Sequence, residues 1–286
     1  MDEINPCVPN VHFEQIPICN LVSNQEYQRA LSVKHIQRAA ANFDPYQINP
    51  VKVSRRDGVN YVFNGQHTIE IVATVSGSRE TPVWCMVYDD LEYETEADIF
   101  ANQQKFVKTL SQYEIFNANI EAGNDEQLII KGLVESYGLT IAQGQVPGAI
   151  CCVSSLETIF EKYGYQILDR TLKLIIGTWE GDTKSLSANM IRAVSKLIVS
   201  YGTDLNDDIF KEKLGCRSIR EISRIAKDHK IGSMGYAEAL LTIYNQGFKN
   251  ESNKLDWGCL HSSRKHKSYL EDNTDEDEEL DEAAEG

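Results

Sequence analysis

The stretch Asn60–Gly77, NYVFNGQHTIEIVATVSG, decides how this chain is read. Tyr61, Val62 and Phe63 form a short apolar run, and Asn64-Gly65-Gln66-His67-Thr68 then breaks it. Beyond the break Ile69, Ile71, Val72 and Val75 recur at helical spacing, up to Gly77. The order is strand, tight polar turn, helix. Such a turn aims unpaired N–H groups and the positive end of the helix dipole at one point, which suits an anion and above all a phosphate. Gly65 permits a positive φ and a close approach to the backbone, while Gln66, His67 and Thr68 add an amide, an imidazole and a hydroxyl. His67 is suited to hold a phosphate charge or to pass a proton near neutral pH. A plainer reading fits the same residues: a solvated turn with Thr68 as N-cap.

Working outward, Asp57-Gly58 is a strong hairpin signal between a strand carrying Val51 and Val53 and the strand at Tyr61–Phe63. Val11, Phe13 and Ile16 point to a further strand. Val33, Ile36, Ala39, Ala40 and Phe43 mark a helix face with Ser32 as its N-cap, closed by Asp44-Pro45. TPVWCMVYD reads as another strand, TEADIFANQQKFVK as a helix, and Ser111 with Glu114 as a capping box opening the next helix before a break at Gly123-Asn124. Past Gly138 the pattern changes. Two short strands are expected around Gly144–Gly148, then helices over 155–163, 167–179, 187–201, 207–213, 218–230 and 236–245, punctuated by glycines. The expected fold is an α+β N-terminal domain with a short mixed sheet (1–122), a mainly α-helical domain (123–250), and a linker with a disordered acidic tail (251–286).

Composition bounds the function classes. The net charge of −15 misleads, because Leu270–Gly286 alone carries ten acidic residues and no Lys or Arg, leaving −5 for the rest. That run is expected to be disordered, as a solubilising tail or as a competitor for a basic surface. No stretch of about 18 apolar residues occurs, so no membrane partner is expected, and the start of the chain lacks the pattern of a signal peptide. A cytoplasmic protein is the expectation. Seven scattered cysteines without a CxxC pair read as reduced thiols. Cys259, His261 and His266 lack the partner pair that zinc would need, and no metal site is expected.

Three further boxes bear on the turn. Tyr27-Gln28-Arg29 puts a guanidinium just before a helix, where it can fork a phosphate. Asn49–Ser54 supplies the neighbouring strand, and Phe100–Glu114 offers Asn102, Gln103, Gln104 and Lys105 on a helix. In the helical region Arg217, Arg220, Arg224 and Lys227 stand at i, i+3, i+7 and i+10, a basic stripe able to touch a nucleic-acid backbone; an ordinary solvated helix face has the same spacing.

Taken together, YQRALS, INPVKVSRRDGVNYVFNGQHTIEIVA and ANQQKFVKTLSQYE resemble the ParB/sulfiredoxin superfamily, in the branch of ParB-like proteins of phage and mobile elements. The likeness runs over residues 11–121. It implies a phosphate pocket built by the turn and the later asparagine-containing helix, which members use for nucleoside triphosphate binding and hydrolysis at DNA, for phosphoryl transfer, for sulfinic acid reduction or as nucleases. Carried over, Gly65 and His67 match the phosphate turn, Asn102 the later asparagine, and Gln104 its glutamine. The chain also departs from the pattern. Asn64 stands where members carry Asp, Thr68 where they carry Arg, and Ala101 where they often carry Glu, while neither Gln66 nor His67 is the sulfiredoxin cysteine.

The expectation is therefore a ParB-like protein that binds a nucleotide, a nucleoside triphosphate with Mg²⁺ in the family manner, through Arg29, Asn64, Gly65, Gln66, His67, Thr68, Asn102 and Gln104, on or near DNA. An enzyme, a nucleotide hydrolase, nuclease or phosphotransferase, would use His67 as acid/base with Glu70 or Asp57 assisting a metal. A third reading is a regulator with a degenerate pocket, whose partner surface is the helical domain and the tail.

Overall fold

The computed structural model describes residues 10–23, 26–89, 91–103, 105–250 and 253–261. Cys7, Gln104, His266 and the acidic tail lie outside them. The chain divides after Thr109 into two compact units, 1–109 and 110–286, earlier than the expected boundary at 122. The reason is the capped helix: its Phe116 is fully buried in the core of the second unit.

The first unit runs β1 (Val11–Pro17), β2 (Leu21–Val22), α1 (Val33–Ala41), β3 (Val51–Arg56), β4 (Val59–Asn64), α2 (Gln66–Ser76), β5 (Pro82–Tyr88) and α3 (Tyr93–Asn102). Its five-stranded mixed sheet has the order β1-β5-β3-β4-β2. The β1–β5 and β3–β4 pairs are antiparallel, and β3–β5 and β2–β4 are parallel. The β3–β4 hairpin closes as its sequence demands. Asp57 and Gly58 both take positive φ, 49° and 76°, the pattern of a two-residue turn whose twist matches the strands. Val51, Val53, Val62, Ile69, Cys85 and Val87 form the buried core, with Ile69 and Val72 as the inward stripe of α2. Lys52 pairs with Asn64 but Val53 pairs with Val62, so Phe63 is the extra residue of a bulge at the end of β4. A bulge re-aims the strand where it occurs, here immediately before the polar turn.

The second unit holds α4 (Gln112–Glu121), α5 (Asp125–Ser136), the short parallel pair β6 (Thr140–Ile141) and β7 (Ala149–Ile150), then α6 (Val153–Trp179), α7 (Ala188–Tyr201), α8 (Asp207–Gly215), α9 (Ile219–His229), α10 (Ser233–Asn245) and α11 (Trp257–His261). The two helices expected over 155–179 meet at a kink where Gly164 is non-helical, at φ 78°. Arg170 ties α6 to the loop before α8. Its guanidinium donates to Asp207 Oδ1 at 2.6 and 3.1 Å and to the carbonyls of Gly202 and Leu205 at 2.9 and 2.7 Å. Residues 253–261, expected as linker, are folded instead: Leu255 and Leu260 are buried, and the Asn245 side chain bonds Leu255 N and O. Five helical residues are too few for a periodic signal, so only burial marks α11. Among the described residues no helix is long and apolar enough to cross a membrane.

Candidate functional site

Gly65 is the N-cap of α2, at φ 107° and ψ 13°, and no side chain caps the helix start. Thr68 is therefore not the N-cap: Gln66, His67 and Thr68 are the first three helical residues, and the chain turns one residue before them. Glycine is required there twice over. The φ is one that side chains rarely adopt, and a Cβ would lie 3.1 Å from Val51 Cα in the sheet core. The first turn of an α-helix has N–H groups without intrahelical partners, and here the N-cap residue supplies no side chain to them.

Tyr27, Gln28 and Arg29 fasten the segment before α1 to α3, to β4 and to the turn in that order. Tyr27 donates its hydroxyl to Glu96 Oε2 at 3.2 Å and packs its ring against Tyr93 and Phe100. Gln28 donates to the carbonyl of Val62 on β4, and the Arg29 carbonyl accepts from Gln66 Nε2 at 2.6 Å. Glu96 is fully buried and faces Arg56 Nη1 at 3.0 Å, an ion pair that lacks hydrogen-bond alignment. Arg56 stacks in turn on Tyr61, 4.5 Å from the ring centre. Burial first, and the Glu96 charge second, push the Tyr27 hydroxyl well above its ordinary range, so it stays a donor. The Arg29 guanidinium is left exposed, without an ion pair among the described residues.

The segment then enters α1, whose N-cap Ser32 accepts from His35 N through its hydroxyl. The Ser32 N–H donates to His67 Nε2 at 3.1 Å, and the rings of His35 and His67 meet edge to face at 5.5 Å. The N-termini of α1 and α2 thus face one another, with Arg29 beside them. His67 is held below its ordinary pKa by burial first, then by His35 and Arg29. With Nε2 accepting, its proton sits on Nδ1 and the ring is neutral. His67 therefore spans the two helix starts as a hydrogen-bond acceptor, a role sequence alone did not assign it. His35 also escaped sequence reading; a histidine three residues after a helix cap marks nothing until a second helix start is set beside it.

The remaining expected residues divide. Asn64 donates to Gln103 Oε1 at 2.7 Å, so α3 reaches the turn through its C-cap residue Gln103. Asn102 ends α3 rather than opening a helix, and its amide folds back on Asp98 at 2.9 and 3.0 Å. Gln104 lies outside the described residues. Glu70 is held by Arg79 in a two-pronged ion pair at 2.9 and 3.1 Å. Asp57 sits in the far turn of the hairpin. In the second unit Arg217 precedes α9 and pairs with Glu221, so the stripe on the helix itself is Arg220, Arg224 and Lys227, all exposed. Among the described residues no group of three or more His, Cys, Asp or Glu stands ready to hold a metal ion.

The arrangement sets the start of α1 beside the start of α2 across the His67 imidazole, with the exposed Arg29 near it and the adjacent Glu70 paired with Arg79. The profile of a family of unknown function, DUF6551, matches residues 22–256 and so takes in both units. No curated protein matches the chain. Among solved structures it is similar to the C-terminally truncated chromosome-partitioning protein ParB from Caulobacter crescentus, complexed with CTP-γ-S. The two share 12% identity over 81% of this chain and 98% of that one, at a TM-score of 0.33, too low to carry an argument about function.

Proposed function

We propose that this chain, which belongs to the DUF6551 family, binds the phosphate group of a nucleotide or a similar phosphorylated ligand between the starts of α1 and α2. The observation that carries the reading is the Ser32 N–His67 Nε2 bond, which brings a second helix start to one that no side chain caps. Oriented N–H groups at such ends favour negative charge, and two of them reinforce each other. Arg29 supplies the formal charge that backbone dipoles lack, in a geometry able to fork two phosphate oxygens. The role is positional rather than hydrolytic. The carboxylate that members of the resembling family carry is Asn64 here, and Glu70 is engaged by Arg79. Asn64 also gives the ligand a lever. A phosphate that competes for its amide releases Gln103 at the end of α3, so occupancy and the position of that helix end are coupled.

The test is a thermal-shift panel of ATP, CTP, GTP, UTP, ADP and pyrophosphate with Mg²⁺, on wild type and Arg29→Gln. A ligand at about a hundred times its Kd stabilises by roughly 2.7 kcal/mol. The expected result is a shift for at least one of them that Arg29→Gln reduces, with the unliganded melting temperature unchanged because Arg29 is exposed. No shift for any would overturn the reading.

A further inference from the structure

The second unit carries a charge pattern that the first unit's site does not use. One cavity of about 550 Å³ is walled by β7, the residues before α7, and the first turns of α7, α9 and α10, and it presents Lys184 and Arg220. A second, of about 470 Å³, lies between α6, α7 and the start of α10 and presents Lys162, Arg192 and Lys196. Neither wall contains an aspartate or a glutamate. Outside its acidic tail the chain still carries a net charge of −5, so walls with cations alone stand out. None of the five cations makes an ion pair among the described residues, although elsewhere in the unit Arg170, Arg217 and Lys230 all do.

The two cavities are neighbours. Successive turns of α7 line first one and then the other, Ser233 and Met234 of α10 face the second while Tyr236 faces the first, and the Arg192 charge acts on the Cys152 thiol in the wall of the first. From Ala188 to Lys196 the trench follows α7 for about 12 Å at 1.5 Å per residue. Arg192 and Lys196 lie on that length, and Lys162 of α6, Lys184 before α7 and Arg220 of α9 flank it, a spread that outreaches a single phosphate. Two helix starts add N–H donors, because neither α7 nor α10 has a side-chain cap.

We infer that this trench in the helical unit, lined by Lys162, Lys184, Arg192, Lys196 and Arg220, binds the phosphodiester backbone of a nucleic acid. Cations facing several phosphates displace condensed counterions, which makes binding tight at low salt and steeply salt-dependent. The inference rests on the cations, which meet phosphates whatever the sequence, so it is one of backbone recognition. This surface differs from the exposed stripe on α9: Arg220 belongs to both, but Arg224 and Lys227 line neither cavity. It also stands independently of the phosphate site proposed for the first unit.

Fluorescence anisotropy with labelled single-stranded and duplex oligonucleotides, between about 50 and 200 mM salt, tests this. The probes meet the full chain, Arg192→Gln/Lys196→Gln, Lys184→Gln/Arg220→Gln, Arg224→Gln/Lys227→Gln and Arg29→Gln, with no nucleotide present. Wild type is expected to bind, and each trench variant to bind about tenfold more weakly with a salt slope shallower by about two. The other two variants are expected to match wild type. The two trench variants change different walls, and circular dichroism and melting curves identify either one that fails to fold. No binding at the lowest salt overturns the inference, as does a loss in Arg224→Gln/Lys227→Gln equal to that in the trench variants. Equal binding of a poly-glutamate peptide overturns the assignment to phosphate. Loss of binding in Arg29→Gln alone would move nucleic acid to the first unit's site.

Discussion

Replacing Gly65 with alanine tests the turn at its most constrained point. Two costs add. Holding a residue with a Cβ in the left-handed region costs about 1–2 kcal/mol. The added Cβ also falls 3.1 Å from Val51 Cα and 3.2 Å from both of its Cγ atoms, on a side chain that is fully buried. Backbone cannot step aside as the end of a flexible side chain can, so overpacking adds about 1–3 kcal/mol. The sum is at least about 2 kcal/mol, which lowers the melting temperature of a unit of roughly a hundred residues by about 8–16 °C. Gly58→Ala is the internal control. Gly58 is also left-handed, at φ 76°, but a Cβ there meets nothing within 4 Å, so only the conformational cost of about 1–2 kcal/mol applies. The assay is urea denaturation followed by hydrogen exchange, with peptides from 1–109 and 110–286 read separately. Destabilisation is expected in the first set alone, larger for Gly65→Ala than for Gly58→Ala, with loss of the nucleotide response only in the former. Equal effects of the two substitutions would refute the packing argument.

Other substitutions probe the surroundings of the site. Glu70→Ala removes a partly exposed pair with Arg79 and should cost no more than about 1 kcal/mol. Thermal shift should find its nucleotide response intact, and a lost response would return Glu70 to the site. Arg56→Leu leaves the buried Glu96 carboxylate without its cation and should destabilise the first unit by about 3–5 kcal/mol in urea. Adding Glu96→Gln should recover much of that loss, and no recovery would mean that Arg56 acts by packing on Tyr61. His67 supplies a pH dependence. Its folded pKa is depressed, so the unfolded chain takes up the proton first as pH falls. Its contribution to stability is full above about pH 6.5 and is lost as pH falls through the lower folded value. His67→Gln should flatten that part of the stability profile, and a bound phosphate should raise the ring's titration midpoint in NMR spectra. A midpoint that phosphate leaves unmoved would count against an anion beside this ring.

The proposed anion site combines local and tertiary constraint, and only the local part is legible in the sequence. Asn64–Thr68 stood out because an apolar run stops, a glycine intervenes and helical spacing begins, all within consecutive residues. Asn102 does lie on the expected helix, but a helix face fixes spacing and not where the helix ends. The chain stops α3 at Asn102, whose amide caps back on Asp98, and passes the contact with Asn64 to Gln103. Glu70 looked available as a substitute acid because Arg79, nine residues on, becomes its partner only after α2 ends and the chain turns back. Arg217 joined a periodic stripe in the sequence, but it lies before the Ser218 cap and turns to Glu221.

What the sequence determined by itself is what neighbouring residues enforce on one another. The Asp57-Gly58 hairpin turn, the Ser32 and Ser111 caps, the break at Gly164 and the helix pattern of the second unit each rest on backbone preferences within a few residues. Tertiary structure decided which of those elements meet. It set the start of α1 against the start of α2 through a backbone N–H on an imidazole, buried Glu96 under Arg56, and left Lys162, Lys184, Arg192, Lys196 and Arg220, drawn from α6, α7, α9 and the loop before α7, without ion pairs among the described residues. The physical reason is range. Caps and turns are fixed by hydrogen bonds spanning three or four residues, whereas the facing of two helix ends is fixed by how apolar stripes far apart in the chain pack into one core.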